Sequence, residues 1–197
     1  MLNIEQPQEY RVSLLHLGFR PFFLLAGMYA VIAMVLWAWL YHGRTDLVPM
    51  GLAPSQWHAH EMVYGYAMAV IAGFLLTAVR NWTGVPTLHG LALLLPVLLW
   101  LAARLLAWVT GAMVPTALLD LGFNLALVAA VLYPVARVRQ WKHLPILALP
   151  LLMAALHLVF YAGLLGFCPG GVRLGLYGGL YLVVLLILAM GRRVIPF

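Results

Sequence analysis

The sequence predicts an all-α polytopic membrane protein, in which residues 1–197 form one bundle of about six transmembrane helices. Two observations lead to this fold class. Hydrophobic residues make up 65% of the chain and charged residues only 8%, whereas soluble domains carry about 25% charged residues. The apolar residues also fall into runs close to the roughly 20 residues that a helix needs to cross a bilayer.

The runs follow one another with short polar turns between them. Pro21 lies at the entry to the first run, where proline is tolerated because the N–H groups of a first helical turn have no intrahelical partner. The loops are too short to hold a second, soluble domain. The predicted spans are residues 22–41, 56–79, 90–109, 114–136, 144–166 and 172–190.

The basic residues predict that both termini lie in the cytoplasm. With the N-terminus inside, eight Lys and Arg residues fall on the cytoplasmic side and two, Arg44 and Arg173, on the outer side. This distribution obeys the positive-inside rule. The eight inner residues are Arg11, Arg20, Arg80, Arg137, Arg139, Lys142, Arg192 and Arg193.

Two ionisable residues inside the third and fourth spans are candidates for a functional site, because a charge in the membrane is costly unless it is paired or hydrated. Arg104 and Asp120 each lie eight residues from the turn at Ala112, so they occupy the same depth on antiparallel helices. The sequence predicts an ion pair between them, and Asn124 is placed one turn deeper to join it. Two roles stay open: a structural pair, or an Arg104 that also binds an anion such as a haem propionate.

The start of the second span carries His58, His60 and Glu61, a plausible metal site because imidazole suits iron, copper and zinc. In a regular helix, residues two apart point about 200° from each other. Either the two histidines lie in a non-helical turn and bind one metal, or they serve different partners. A third reading makes both of them interfacial side chains that reach water.

His157 lies in the outer half of the fifth span, within an otherwise apolar stretch. A lone histidine there could simply form a hydrogen bond to a neighbouring helix. Histidines on different helices of an apolar bundle also suit b-type haem. We predict that His58, His60 and His157 converge with Glu61 on one pocket near the outer face. Glu61 would then hold a histidine N–H, as carboxylates do at metal sites.

Several segments resemble the NnrS family. They are Gly18-Phe19-Arg20-Pro21-Phe22-Phe23-Leu24, Trp57-His58-Ala59-His60-Glu61-Met62, Gly73-Phe74-Leu75-Leu76-Thr77-Ala78-Val79, Asn81-Trp82-Thr83-Gly84 and the terminal Gly191-Arg192-Arg193-Val194-Ile195-Pro196-Phe197. The resemblance spans nearly the whole chain. The second, third and fourth segments are fairly specific, whereas the hydrophobic background is not.

This resemblance implies a haem- and copper-containing protein of the bacterial inner membrane, linked to nitric oxide response or denitrification. It places His58, His60 and Glu61 in the family's metal-associated motif, and Arg104 and Asp120 where family members carry similar polar residues. Typical members are longer, and the chain is similar to their N-terminal half. A short homologue, a fragment and a subunit that needs a partner all stay open.

Other function classes are excluded or ranked lower. No phosphate-binding loop, dinucleotide fingerprint or nucleophile elbow occurs in the sequence, and nothing in it indicates nucleic-acid binding. The expected surroundings are the lipid bilayer and either further copies of the chain or a partner membrane subunit. The alternatives are a structural or assembly subunit of a respiratory complex, and a proton-coupled or metal-ion transporter. The sequence assigns no catalytic residue.

Overall fold

The computed structural model describes residues 13–43 and 47–194, which contain six long helices and no strand. All six helices are long and apolar enough to cross a membrane. This confirms the predicted fold class. The helices are α1 (Phe19–Tyr41), α2 (Pro54–Thr83), α3 (Leu91–Thr110), α4 (Met113–Arg137), α5 (Leu144–Leu164) and α6 (Gly171–Val194).

The helix ends differ from the predicted spans by at most four residues, the largest differences being at the C-terminal ends of α2 and α6. α2 continues past Val79 to Thr83 and stops where Gly84 takes a left-handed conformation. Glycine takes this conformation without steric cost because it has no Cβ, so it commonly ends helices. Arg11 and Arg44 lie outside the described residues. The cytoplasmic position of the termini stays a prediction.

Apolar side chains cover the outside of the bundle as well as its core. Leu91, Val109 and Leu118 are exposed, whereas Trp57, Trp100 and Phe123 are almost completely buried. A soluble protein buries such outward-facing residues or restricts them to small patches. In a bilayer they contact lipid, so the exposed apolar surface agrees with six membrane-spanning helices.

Glycines on α6 allow three helices to approach closely, as their spacing predicts. A Cβ at Gly175 would lie 2.5 Å from the Cβ of Phe160 on α5. A Cβ at Gly179 would lie 2.7 Å from the hydroxyl of Tyr64 on α2. Tyr64 also donates a hydrogen bond of 2.6 Å to the carbonyl of Gly175. These contacts fix α6 against the part of α2 that carries the polar residues.

The connections bring the polar residues of four helices into one layer. His60 lies six residues after the start of α2, and His157 lies seven before the end of α5. Arg104 lies six residues before the end of α3, and Asp120 lies seven residues after the start of α4. At 1.5 Å per residue, all four lie roughly 10 Å from the helix ends on the same side of the bundle.

Candidate metal site

Two histidines from different helices meet in this layer. His60 on α2 and His157 on α5 are 0% and 1% exposed. Their Nε2 atoms are 2.9 Å apart. Among the residues that the structure describes, His60, His157 and Asp120 form a group whose donor atoms all lie within 4.8 Å of one another. Imidazole and carboxylate groups at this spacing are the ligand types of transition-metal sites.

Aromatic rings surround the histidine pair. The ring of His157 stacks on Tyr64 at a centroid distance of 3.9 Å and on Tyr161 at 5.0 Å. The ring of His60 stacks on Phe160 at 4.6 Å. These contacts hold both imidazoles in place and exclude water, so the two Nε2 atoms face each other in an apolar shell.

Glu61 connects the histidine pair to α1 and α3. Its Oε1 atom lies 2.9 Å from Nδ1 of His60. Its Oε2 atom accepts a hydrogen bond of 2.5 Å from the hydroxyl of Tyr29 and lies 3.2 Å from Nε of Arg104. Glu61 is 2% exposed. An ionised carboxylate only accepts hydrogen bonds. Glu61 therefore favours the form of His60 in which the ring proton is on Nδ1.

Asp120 forms the other half of the polar layer. It makes the predicted ion pair with Arg104 and accepts a hydrogen bond of 2.6 Å from the hydroxyl of Tyr161. Its Oδ2 atom lies 3.7 Å from Nε2 of His157. Asp120 therefore pairs with Arg104 through one oxygen and presents the other to the histidine pair.

Arg104 is buried against two carboxylates and one backbone carbonyl. It contacts Glu61 and Asp120, and its Nη1 atom donates a hydrogen bond of 3.4 Å to the carbonyl of Tyr64. Arg104 is only 5% exposed. Of the two roles that the sequence left open, the structure agrees with the structural pair.

A π-helical segment of α2, Glu61–Ala67, shapes the site. Such segments shift the backbone register and are frequent at functional sites. Here the carbonyl of Gly65 accepts a hydrogen bond of 3.0 Å from the indole of Trp100. A Cβ at Gly65 would lie 2.7 Å from Oε2 of Glu61 and 2.9 Å from Cε1 of Tyr29. Glycine is required at this position because the side chains of α1 and α3 come so close.

His58 does not join the group. Its ring stacks on Trp37 of α1 at 4.4 Å, and it is partly exposed rather than buried. The segment Pro54–His60 is a regular α-helix. Residues two apart therefore point in different directions, and the predicted convergence of His58 with His60 and His157 is not observed. The alternative in which the two histidines serve different partners describes this geometry.

Three residues of the site were not recognised as such in the sequence, and a fourth was given another partner. Tyr29 and Tyr161 look like ordinary aromatic residues of apolar helices, and Gly65 looks like a packing glycine. Asn124 was expected beside Asp120, but its Nδ2 atom lies 2.9 Å from Nδ1 of His157. Asn124 and Tyr161 could have been predicted from their depth in the membrane. Each lies about one helical turn from a predicted site residue on the same helix.

Comparison with known proteins supports the resemblance seen in the motifs. The sequence model described as NnrS protein matches residues 13–197. No curated protein and no solved structure matches the chain significantly. A match over nearly the whole length shows the family, and the chain belongs to the NnrS family.

Proposed function

We propose that this protein binds copper between His60 and His157 and acts in nitric oxide response or denitrification, in the bacterial inner membrane. One observation carries the copper assignment: two buried imidazoles from different helices meet with their Nε2 atoms 2.9 Å apart. Family membership and six membrane-spanning helices support the wider role.

The donor set fits a small ion. Metal–imidazole bonds are about 2.0–2.1 Å long, so two imidazoles on one ion have nitrogens no more than about 4 Å apart. The observed separation of 2.9 Å is within about 1 Å of that limit. The carboxylate of Asp120 supplies a third donor within 4.8 Å of both.

The charges of the site favour a monovalent ion. Glu61 and Asp120 contribute two negative charges and Arg104 contributes one positive charge. With neutral imidazoles, the buried layer carries one excess negative charge. Uncompensated charge is expensive in an apolar interior. Copper(I) would neutralise the layer, whereas a divalent ion would leave it positive by one.

The space between His60 and His157 does not fit a haem. A haem iron bound by both imidazoles would hold their nitrogens about 4 Å apart, with a flat macrocycle between the two rings. The histidines instead touch each other and pack against the rings of Tyr64, Phe160 and Tyr161. We therefore do not assign a haem to this pair, although the family resemblance implies one.

Copper held by His60 and His157 would supply one-electron redox chemistry. The chain itself prepares the site. Glu61 holds the Nδ1 proton of His60 and so leaves its Nε2 lone pair free for the ion. Tyr29 and Arg104 hold Glu61, and Tyr161 holds Asp120. Such partners typically change metal affinity by about 10–100-fold.

Metal analysis of the purified protein tests the copper assignment. We expect copper in the protein from a host supplied with copper and haem, and its loss in His60→Ala and His157→Ala. His58→Ala and His89→Ala are the matched controls, because His58 stacks on Trp37 and His89 contacts the carbonyl of Thr87. Copper-free unaltered protein, or copper that survives both site substitutions, overturns the assignment. An optical spectrum of the same samples tests for haem.

A test in cells addresses the wider role. We expect a strain that carries His60→Ala at the chromosomal locus to recover more slowly from nitric oxide than a strain that carries His58→Ala. Both variants must be present in the membrane at equal amounts. If the two strains recover equally although His60→Ala has lost its copper, the copper site is not needed for the nitric oxide response.

The second candidate is a structural or assembly subunit of a respiratory complex. The observation that favours it is the polar layer itself, which links α1, α2, α3, α4 and α5 through hydrogen bonds and ion pairs without any ion. This candidate predicts that the unaltered protein carries no copper and co-purifies with a partner subunit. The metal analysis described above therefore decides between the two functions.

A further inference from the structure

Asn124 on α4 determines which nitrogen of His157 carries the proton. Asn124 is 1% exposed, and its Nδ2 atom lies 2.9 Å from Nδ1 of His157. An amide amino group only donates hydrogen bonds. Nδ1 of His157 must therefore accept, and in a neutral imidazole the proton then sits on Nε2.

The remaining hydrogen bonds agree with this arrangement. With the proton of His157 on Nε2, His157 would donate to Nε2 of His60 at 2.9 Å, and His60 would donate its Nδ1 proton to Glu61 at 2.9 Å. The chain of bonds thus runs from Asn124 through both histidines to Glu61. Every group along it has a donor facing an acceptor, so the ion-free site is satisfied.

Copper binding requires a change at His157 but none at His60. To bind an ion, Nε2 of His157 must present its lone pair, so the proton has to be on Nδ1. The group that faces Nδ1 must then accept a hydrogen bond. The amino group of Asn124 cannot accept, but its carbonyl oxygen can, and a half-turn of the carboxamide exchanges the two.

We propose that Asn124 is a positioning residue for the copper site, whose carboxamide turns over when the ion binds. The amino group faces Nδ1 of His157 in the ion-free protein, and the oxygen accepts the Nδ1 proton in the loaded protein. One proton leaves Nε2 and one is taken up at Nδ1, so His157 stays neutral and releases no net proton. This inference rests on the proposed copper site.

Two substitutions separate this role from simple packing. Asn124→Asp keeps the size of the side chain and its acceptor, whereas Asn124→Leu keeps the approximate size and removes the acceptor. We expect Asn124→Leu to weaken copper(I) binding by about 10–100-fold, the range found for residues that hold a metal ligand. Asn124→Asp should restore most of the affinity, although it adds a buried negative charge. Competition with a chromophoric copper(I) chelator measures these affinities.

Nitrogen NMR of protein labelled in its histidine side chains reports which ring nitrogen of each histidine carries the proton. A purely packing role of Asn124 would not predict a change in that position on copper binding. We expect His157 to carry its proton on Nε2 in the ion-free protein and on Nδ1 after copper(I) is added, with His60 on Nδ1 throughout. Thermal unfolding of each ion-free variant establishes that it is folded.

Three outcomes would contradict these expectations, and they are distinguishable. Unaltered protein that binds no copper overturns the proposed function. Unaltered protein that binds copper, with Asn124→Leu of equal affinity, overturns only the role of Asn124. A His157 proton on Nε2 in both states also overturns that role. If Asn124→Leu does not fold, the NMR measurement on unaltered protein still decides the question.

Discussion

Replacement of Gly65 by alanine tests whether the site is as crowded as its geometry indicates. Alanine normally stabilises a helix by about 1 kcal/mol relative to glycine. At Gly65 the new Cβ would lie 2.7 Å from Oε2 of Glu61, 2.9 Å from Cε1 of Tyr29 and 3.3 Å from Nη1 of Arg104. The substitution therefore pushes against both partners of a buried ion pair, and we expect it to destabilise the protein.

The magnitude follows from two opposing effects. Overpacking of a well-packed core typically costs about 1–3 kcal/mol, and the helix preference of alanine offsets up to about 1 kcal/mol of that loss. We expect a net decrease of about 1–2 kcal/mol in the free energy of unfolding. For a chain of this size, each kcal/mol corresponds to a fall of about 2–4 °C in Tm.

Thermal unfolding in a mild detergent measures this effect, and Gly27→Ala is the matched control. Gly27 also lies inside a membrane helix, but a Cβ there would have no neighbour within 4 Å. We expect Gly27→Ala to leave Tm unchanged or slightly raised. If Gly65→Ala is as stable as Gly27→Ala, the close approach of Tyr29, Glu61 and Arg104 does not exist in the protein.

Three further predictions concern stability and topology. Asp120→Asn should lower the free energy of unfolding by about 1–3 kcal/mol, because Arg104 loses one of its two buried carboxylate partners but keeps Glu61, and unaltered stability in detergent would refute the pair. Tyr64→Phe should cost about 0.5–1.5 kcal/mol, since the carbonyl of Gly175 loses the side-chain donor that joins α2 to α6, and Tyr177→Phe on the exposed face of α6 is the control. Reporter fusions should place both termini in the cytoplasm, and a periplasmic C-terminus would contradict the orientation drawn from the basic residues.

The fold and one contact of the site were predictable because they depend on length and depth. Apolar runs of bilayer length set the six spans. Equal distances from the turn at Ala112 placed Arg104 beside Asp120, and the structure has that ion pair. The predicted spans also placed His60 and His157 in the outer half of the bundle. These arguments need only the rise of a helix, which varies little with sequence.

The direction in which side chains point was less predictable. A π-helical segment begins at Glu61, directly after the α-helical turn that carries His58 and His60. Nothing in the composition of that segment distinguishes it from an α-helix. Contacts such as Tyr29 with Glu61 join residues on different helices, so they depend on helix rotation, which a single sequence does not specify. Grouping His58 with His60 required a non-helical turn, whereas the segment Pro54–His60 is α-helical and the two side chains point apart.

The second carboxylate is the feature that favours the proposed copper site over a purely structural role. A scaffold needs only the pair of Arg104 with Asp120, which is neutral as a unit and fixes the hairpin between α3 and α4. Glu61 adds a buried negative charge beside His60 without a second arginine or lysine to balance it. Replacement of buried ionic groups by apolar ones is often neutral or stabilising by about 1–4 kcal/mol. Packing alone therefore does not explain Glu61, whereas a monovalent cation between the two histidines accounts for its charge.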